Sequence, residues 1–402
     1  MLQRIRKPLI IALLLVVVAG GIFYAIKNAT DSSRDQREAK VENKKSKDEE
    51  EKAKSNTKKD DKEKESKEIS YDITLGFAGD INFADDHETT RHYQAKGASK
   101  MADVLSQDYV DAMNGMSLMW INNEFTYSKR GTPLPGKAYT FRSDPSHVAW
   151  LQELGIDIVG LANNHVYDYG KDAMLDTFDT LDQAGIPYVG AGRNLTEASQ
   201  PIYLKTNGFT IAYVAASCAE KLKMTPQATD TEPGILRCYD NSIFIEKIKE
   251  AKANADYVIA LPHWGTEYST TLTSVQKNGA HAYIDAGADC VIGAHPHILQ
   301  GMEYYNGKPI VYSLGNFWFN EKTLDTMMAV IEIKGDYEGK TPNLSKGQVT
   351  LKLLPGVQSG YETRMATDAG EKNRIFKALE DISVNVQIDA DGIVRKRNDE
   401  PG

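Results

Sequence analysis

The sequence predicts an α/β domain over residues 69–402 of a 402-residue chain, and three observations carry that prediction. Short apolar, β-branched runs alternate with amphipathic stretches from residue 69 onward, as strands interleaved with helices do. Gly185 and Gly287 stand where two of those stretches should stop as helices. Five of the apolar runs end in Asp, Glu, Asn or His, at the carboxyl ends of strands where open α/β sheets bind ligands.

Before that domain the chain has a different character. Residues 1–8, MLQRIRKP, are basic, and residues 9–26, LIIALLLVVVAGGIFYAI, are wholly apolar. As a helix this run spans about 27 Å, close to one hydrocarbon core. A cleaved signal peptide would want a shorter run and a small-x-small site, whereas Tyr24, Ala25, Ile26 and Lys27 follow here. The expectation is a single uncleaved anchor, with Arg4, Arg6 and Lys7 cytoplasmic and everything after residue 27 extracellular. Residues 27–68 are charged in both signs and nearly free of apolar side chains, so they predict a disordered stalk. The formal net charge is −9; residues 1–68 carry about +4, which leaves about −13 on residues 69–402 and argues against a nucleic-acid partner.

Within the domain, helices are expected at 171–185, 242–255, 273–287 and about 371–382. Asn207-Gly208 and Asn306-Gly307 lie between alternating apolar runs and predict hairpin turns. Cys218 and Cys238 can pair in an oxidising exterior, while Cys290 reads as a buried strand thiol. Residues 69–325 hold the chemistry; residues 326–402 read as strands and a helix that complete the second sheet of the same domain.

The five strand ends are ITLGFAGD at Asp80, SLMWINNE at Glu124, DIVGLANNH at Asn164 and His165, YVIALPHW at His263, and CVIGAHPH at His295 and His297. All are hard or borderline metal ligands, and their repetition predicts one site. An extended backbone at His295, favoured by Pro296, would turn both imidazoles to one side. The inventory suffices for two cations about 3.5–4 Å apart with a shared carboxylate, an arrangement that activates water and clamps phosphoryl oxygens.

The segments GFAGDINF, NNEF, GIDIVGLANNHVYDYG, GAGRNLTEA, LPHWGTEY and GADCVIGAHPHILQGMEYYNGKPIVYSLGNFWF resemble the CapA/PgsA family of capsule and poly-γ-glutamate biosynthesis proteins. That family is related to the calcineurin-like metallophosphoesterases. The resemblance implies a four-layer αββα sandwich on a bacterial cell membrane, with one or two divalent ions of the Mn, Zn or Fe class. It implies Asp80 and His297 as ligands of a first metal, Glu124 as the bridge, Asn164 as an amide ligand, and His263 and His295 as ligands of a second. His165 takes the catalytic position, contacting substrate or protonating the leaving group. The phosphoesterase pattern has His where Asn82 stands, leaving the first metal an imidazole short unless Asn82 or another residue substitutes.

Second-rank candidates are Asn123; Arg142, for an anionic substrate or a structural ion pair; Asp168, as a helix start or a partner; Glu267, for orienting His263 or holding substrate; and Asn316. His87, His92 and His281 read as non-ligands. The function expected is capsule polymer synthesis or export on a metal-dependent hydrolase site, with a phosphorylated substrate or acidic polymer and other membrane subunits of a synthase as partners. The alternatives are a non-catalytic polymer-binding or scaffold subunit and a cell-wall phosphodiesterase.

Overall fold

The computed structural model describes residues 70–397 apart from 86, 220–223, 339–340 and 343–346. The expected anchor at 9–26 and stalk at 27–68 lie outside the described residues. Among those described, no helix is long and apolar enough to cross a membrane.

The chain begins with strands β1 (Ser70–Ile81), β2 (Leu118–Asn123), β3 (Ile158–Gly160) and β4 (Tyr188–Val189), which pair side by side in parallel. Then come β5 (Ile202–Thr206), β6 (Phe209–Ser217), β7 (Tyr257–His263), β8 (Cys290–Ile292), β9 (Met302–Tyr305) and β10 (Lys308–Val311). These form a second sheet in the order β9-β10-β8-β7-β6-β5, parallel at its centre with hairpins at both edges. The hairpin turns are Asn207-Gly208 and Asn306-Gly307, all four residues at positive φ as such turns require.

The last strands are β11 (Asn316–Trp318), β12 (Leu324–Glu338), β13 (Gln348–Ser359), β14 (Glu362–Met365), β15 (Val386–Ile388) and β16 (Ile393–Lys396). They return to the first sheet, not the second as the sequence suggests: β12 runs antiparallel along β1 and carries β13 and β16 outward, while β11 pairs parallel with the end of β1. The long β1 needs a partner on its open side, and apolar alternation alone does not say which strand supplies it.

Residue alternation along the strands builds four layers. Ile73, Leu75 and Phe77 of β1 face Phe209, Ile211 and Tyr213 of β6 in a core between the sheets. Their neighbours Met119 and Ile121 of β2 point the other way, onto helices α1 (Gln107–Asn114) and α2 (Gly170–Ala184) through Met113 and Phe178. On the second sheet, Val214 and Ala260 point outward to α3 (Ser242–Asn254) and α4 (Ser274–Ala286) through Phe244 and Tyr283. Each fully buried Phe or Leu contributes about 1.5–3 kcal/mol. Gly185 and Gly287 end α2 and α4 in left-handed conformation, as expected, and Thr273 with Gln276 forms a capping box at the start of α4. Helix α5 (Ala369–Asp381) lies where the sequence places it to within about two residues.

Candidate metal centre

Asp80 is positioned by two local irregularities. A register shift between Ala78 and Asp80 in the β1–β2 pairing bends the strand end. Beside it, a Cβ on Gly79 would lie 1.9 Å from the carbonyl oxygen of Gly315, so glycine there lets β11 close onto β1 and sets Asn316 opposite Asp80. On the other flank Asn122 stands opposite Asp80, and Glu124 follows just past β2. Asn164 and His165 come from the turn after β3, His263 ends β7, and His295 and His297 follow β8.

These strand ends bring together two overlapping sets of donors, Glu124–His263–His295 and Asp80–Glu124–His297, each with ligand atoms within 4.8 Å of one another. Glu124 belongs to both. In the first set His263 Nε2 lies 3.1 Å from His295 Nδ1 and 3.6 Å from Glu124 Oε1, with Asn164 Oδ1 at 2.7 Å. In the second His297 Nδ1 lies 3.2 Å from Asp80 Oδ2 and 2.8 Å from Asn316 Oδ1. His295 and His297 do reach one centre, but not on extended backbone: their φ values are +98° and +60°. Such conformations cost non-glycine residues about 1–3 kcal/mol and persist where surrounding structure imposes them. The turn, rather than side-chain alternation, sends the two rings to different donor sets.

The donor groups can hold a cation. Asp80 and Glu124 are fully buried, and Asp80 Oδ2 and Glu124 Oε1 have no hydrogen-bond donor. Burial, reinforced by the Asp80 charge, holds the Glu124 carboxyl well above its usual range. Burial, then neighbouring imidazoles, pushes His263 well down and His295 down to about 3, so both rings are neutral with lone pairs to give. For His297 burial works downward, but the nearby Asp80 carboxylate outweighs it. Neutral imidazoles facing carboxylate oxygens that lack donors fit a divalent ion.

Beside the donors, His165 Nδ1 and Asp168 Oδ2 are 2.7 Å apart, and Lys137 Nζ pairs with Asp168 Oδ1 at 2.7 Å. Lys137 also donates to the Asn164 carbonyl, and the Phe141 amide donates to Asp168. His165 Nε2 is left facing Glu124 Oε1 at 3.9 Å, beneath a cavity of about 300 Å³ walled by Tyr139, Phe141, Tyr268 and Phe319.

Several sequence candidates stand elsewhere. Asn82 Oδ1 accepts from the Ala84 amide and closes a turn. Asn123 donates to the Phe125 carbonyl, because consecutive residues of β2 point to opposite sides; the residue between the carboxylates is Asn122, whose Nδ2 reaches Asp80 Oδ1 at 2.7 Å and Glu124 Oε2 at 3.1 Å. Two-residue spacing from Glu124 was the available signal for it. Arg142 neither meets the cavity nor forms an ion pair among the described residues; it donates to the carbonyls of Arg130 and Gly131 and covers the Tyr169 ring. Glu267 is exposed on the cavity wall and does not orient His263, whose neighbours are Asn122, Asn164, His295 and Glu124. His87 bonds Thr89, His92 pairs with Glu362 and His281 with Glu303. Nothing local in the sequence marks Lys137.

Residues 74–321 match the model of the bacterial capsule synthesis protein PGA_cap. The chain belongs to that family. A PGA biosynthesis protein CapA of Bacillus subtilis is 36% identical over 274 residues, covering 67% of this chain and 70% of the relative. The capsule biosynthesis protein CapA of Bacillus anthracis is 34% identical over 241 residues, covering 57% of this chain and about half, 54%, of the relative. Among solved structures, the calcineurin-like phosphoesterase YfkN from Bacillus subtilis overlaps 70% of this chain and 91% of its own, at 16% identity and a TM-score of 0.43. The PGA_cap match spans every donor of both sets.

The titrations predict an acid-sensitive protein once metal is stripped. His263 and His295 have folded pKa values below the unfolded value of about 6.5, so their contribution is whole above that pH and lost as pH falls. Glu124 has the opposite sign: its contribution weakens as pH rises past about 4.5. Two imidazoles outweigh one carboxyl between those values. The urea midpoint of chelated protein should therefore drop from about pH 6.5 to 4.5, and His295→Asn should flatten the drop.

Proposed function

We propose that this chain is a membrane-anchored, extracellular protein of capsule or poly-γ-glutamate biosynthesis or export, acting as a metal-dependent hydrolase of a phosphoester or phosphoanhydride. The observation that carries the catalytic part is Glu124 shared between two donor sets. Divalent ions held there would lower the pKa of a water and neutralise the oxygens of a phosphoryl group. Asp168 fixes His165 from Nδ1, so Nε2 is the nitrogen that meets the substrate and moves a proton. Lys137 and the Phe141 amide hold Asp168 in turn.

The anchor reading rests on residues 9–26, and the bonded pair Cys218–Cys238 supports an oxidising exterior. Other membrane subunits of a capsule polymer synthase are the partners, with the acidic polymer or a phosphorylated precursor as substrate. A second reading, a non-catalytic scaffold that grips an acidic polymer through metal, is favoured by one observation: Asn82 is spent on a turn, so the Asp80 set has a single imidazole.

Full-length protein isolated without chelator should carry one or two equivalents of metal by elemental analysis, and Asp80→Ala should lower that content. In cells, loss of capsule polymer with His165→Ala as complete as with gene deletion supports the enzyme. Polymer retained by His165→Ala but lost with Asp80→Ala supports the scaffold. Wild-type protein without metal sinks both metal-based readings.

A further inference from the structure

Each donor set has a carboxamide oxygen against its imidazole. Asn164 Oδ1 lies 2.7 Å from His263 Nε2, and Asn316 Oδ1 lies 2.8 Å from His297 Nδ1. We infer that Asn316 is a metal ligand, its Oδ1 completing the Asp80–Glu124–His297 set as Asn164 completes the other.

Three observations support this. Donor atoms about 2.0–2.2 Å from one ion sit about 3 Å apart when they subtend a right angle. The separations at His297 Nδ1, 2.8 Å to Asn316 Oδ1 and 3.2 Å to Asp80 Oδ2, bracket that spacing. Asn316 is also fixed in place: it is fully buried, pairs with Asp80 across the β1–β11 ladder, and owes its approach to the Gly79–Gly315 contact. Its Nδ2 is buried with no acceptor, so the amide is not held by a hydrogen bond from that end. An orientation maintained at that cost has its reason on the Oδ1 side, where Asp80 Oδ2 is undonated as well.

The competing role is a positioning one, Oδ1 accepting from a protonated His297 Nδ1 and merely orienting the ring. The two differ in number of ligands, and therefore in the spectrum of a bound ion and in how far affinity falls. Outer partners of metal-bound histidines typically change affinity 10–100-fold.

The inference rests on the metal reading proposed above, and the test keeps the two apart. Full-length wild type, Asn316→Ala and Asn316→Asp are stripped of metal, checked for folding by circular dichroism, and titrated with Mn(II) and Co(II) alone. Wild type should bind two ions. Asn316→Ala should keep one and bind the other more than about 100-fold more weakly, beyond the range for an outer partner. Its Co(II) visible band at that position should intensify as the coordination number falls, and Asn316→Asp should restore binding. An Asn316→Ala protein whose affinities stay within that range and whose Co(II) spectrum is unchanged overturns the inference and leaves the metal reading intact. If Asn316→Ala does not fold, Asn316→Asp decides: the added charge on a coordinating oxygen must tighten one ion at least tenfold and shift its band, and unchanged values overturn the assignment. Wild type that takes up no ion removes the inference and the metal reading together.

Discussion

Replacing Glu124 with Gln is expected to strip both donor sets of their common carboxylate, lower hydrolysis by at least about 10³-fold, and yet raise the melting temperature of the chelated protein. The first part follows from membership of Glu124 in both sets. The second follows from its surroundings without metal: a fully buried carboxyl whose charge is opposed by burial and by Asp80, with one oxygen lacking a donor. Gln keeps the shape and retains an oxygen for the Asn122 amide now 3.1 Å from Glu124 Oε2. Removing that carboxyl is worth about 1–3 kcal/mol at neutral pH, where Glu124 ionises freely in the unfolded chain but against burial and the Asp80 charge in the folded one. Scanning calorimetry of chelated wild type and variant reads this directly, and metal analysis reads the rest. A variant that melts lower and still holds two ions contradicts the shared-ligand geometry.

The second large effect separates chemistry from binding. His165→Ala should lower kcat about 10²–10⁴-fold while metal content and the Co(II) spectrum stay as in wild type. His165 touches no donor closer than Glu124 Oε1 at 3.9 Å, so its loss leaves the ions' oxygens and nitrogens in place. Asp168→Asn should cost less in kcat, because it leaves the ring present but no longer fixes which nitrogen carries the proton. It should also destabilise the protein, since Lys137, with its side chain 5% exposed, loses the Asp168 carboxylate. A His165→Ala protein that loses metal along with activity would make His165 part of the ion's support instead.

How much of this was readable from residues alone depends on where each side chain sits along its strand. Asp80, His263, His295 and His297 end apolar runs, and a strand end has one direction in which to present a polar group; these could be placed without coordinates. Glu124 was readable for the same reason, but its neighbour was not: Asn122 and Asn123 are equally polar, and only the pleat decides that the former faces the carboxylates. Arg142 suggested by type an anionic substrate or a structural ion pair, whereas its guanidinium is used on loop carbonyls. Lys137 is beyond any local pattern, since its partner Asp168 lies on a different segment and only tertiary packing joins them. The backbone of His295 and His297 went the other way, because proline biases the residue before it toward extension while the turn after β8 imposes positive φ. The alternation of strand and helix was legible early; the return of β12 and β13 to the first sheet was not, since an amphipathic strand fits either sheet edge until its partner is known.

The pairing of β11 with β1 has a consequence in time. Asp80 lies near the start of the folded region and Asn316, its neighbour across the ladder, comes only after both halves of the second sheet have been made. The cradle around Asp80 therefore cannot close before residue 316 has been made. An ion held by the complete set would be taken up only after that, in the compartment where the last strands dock.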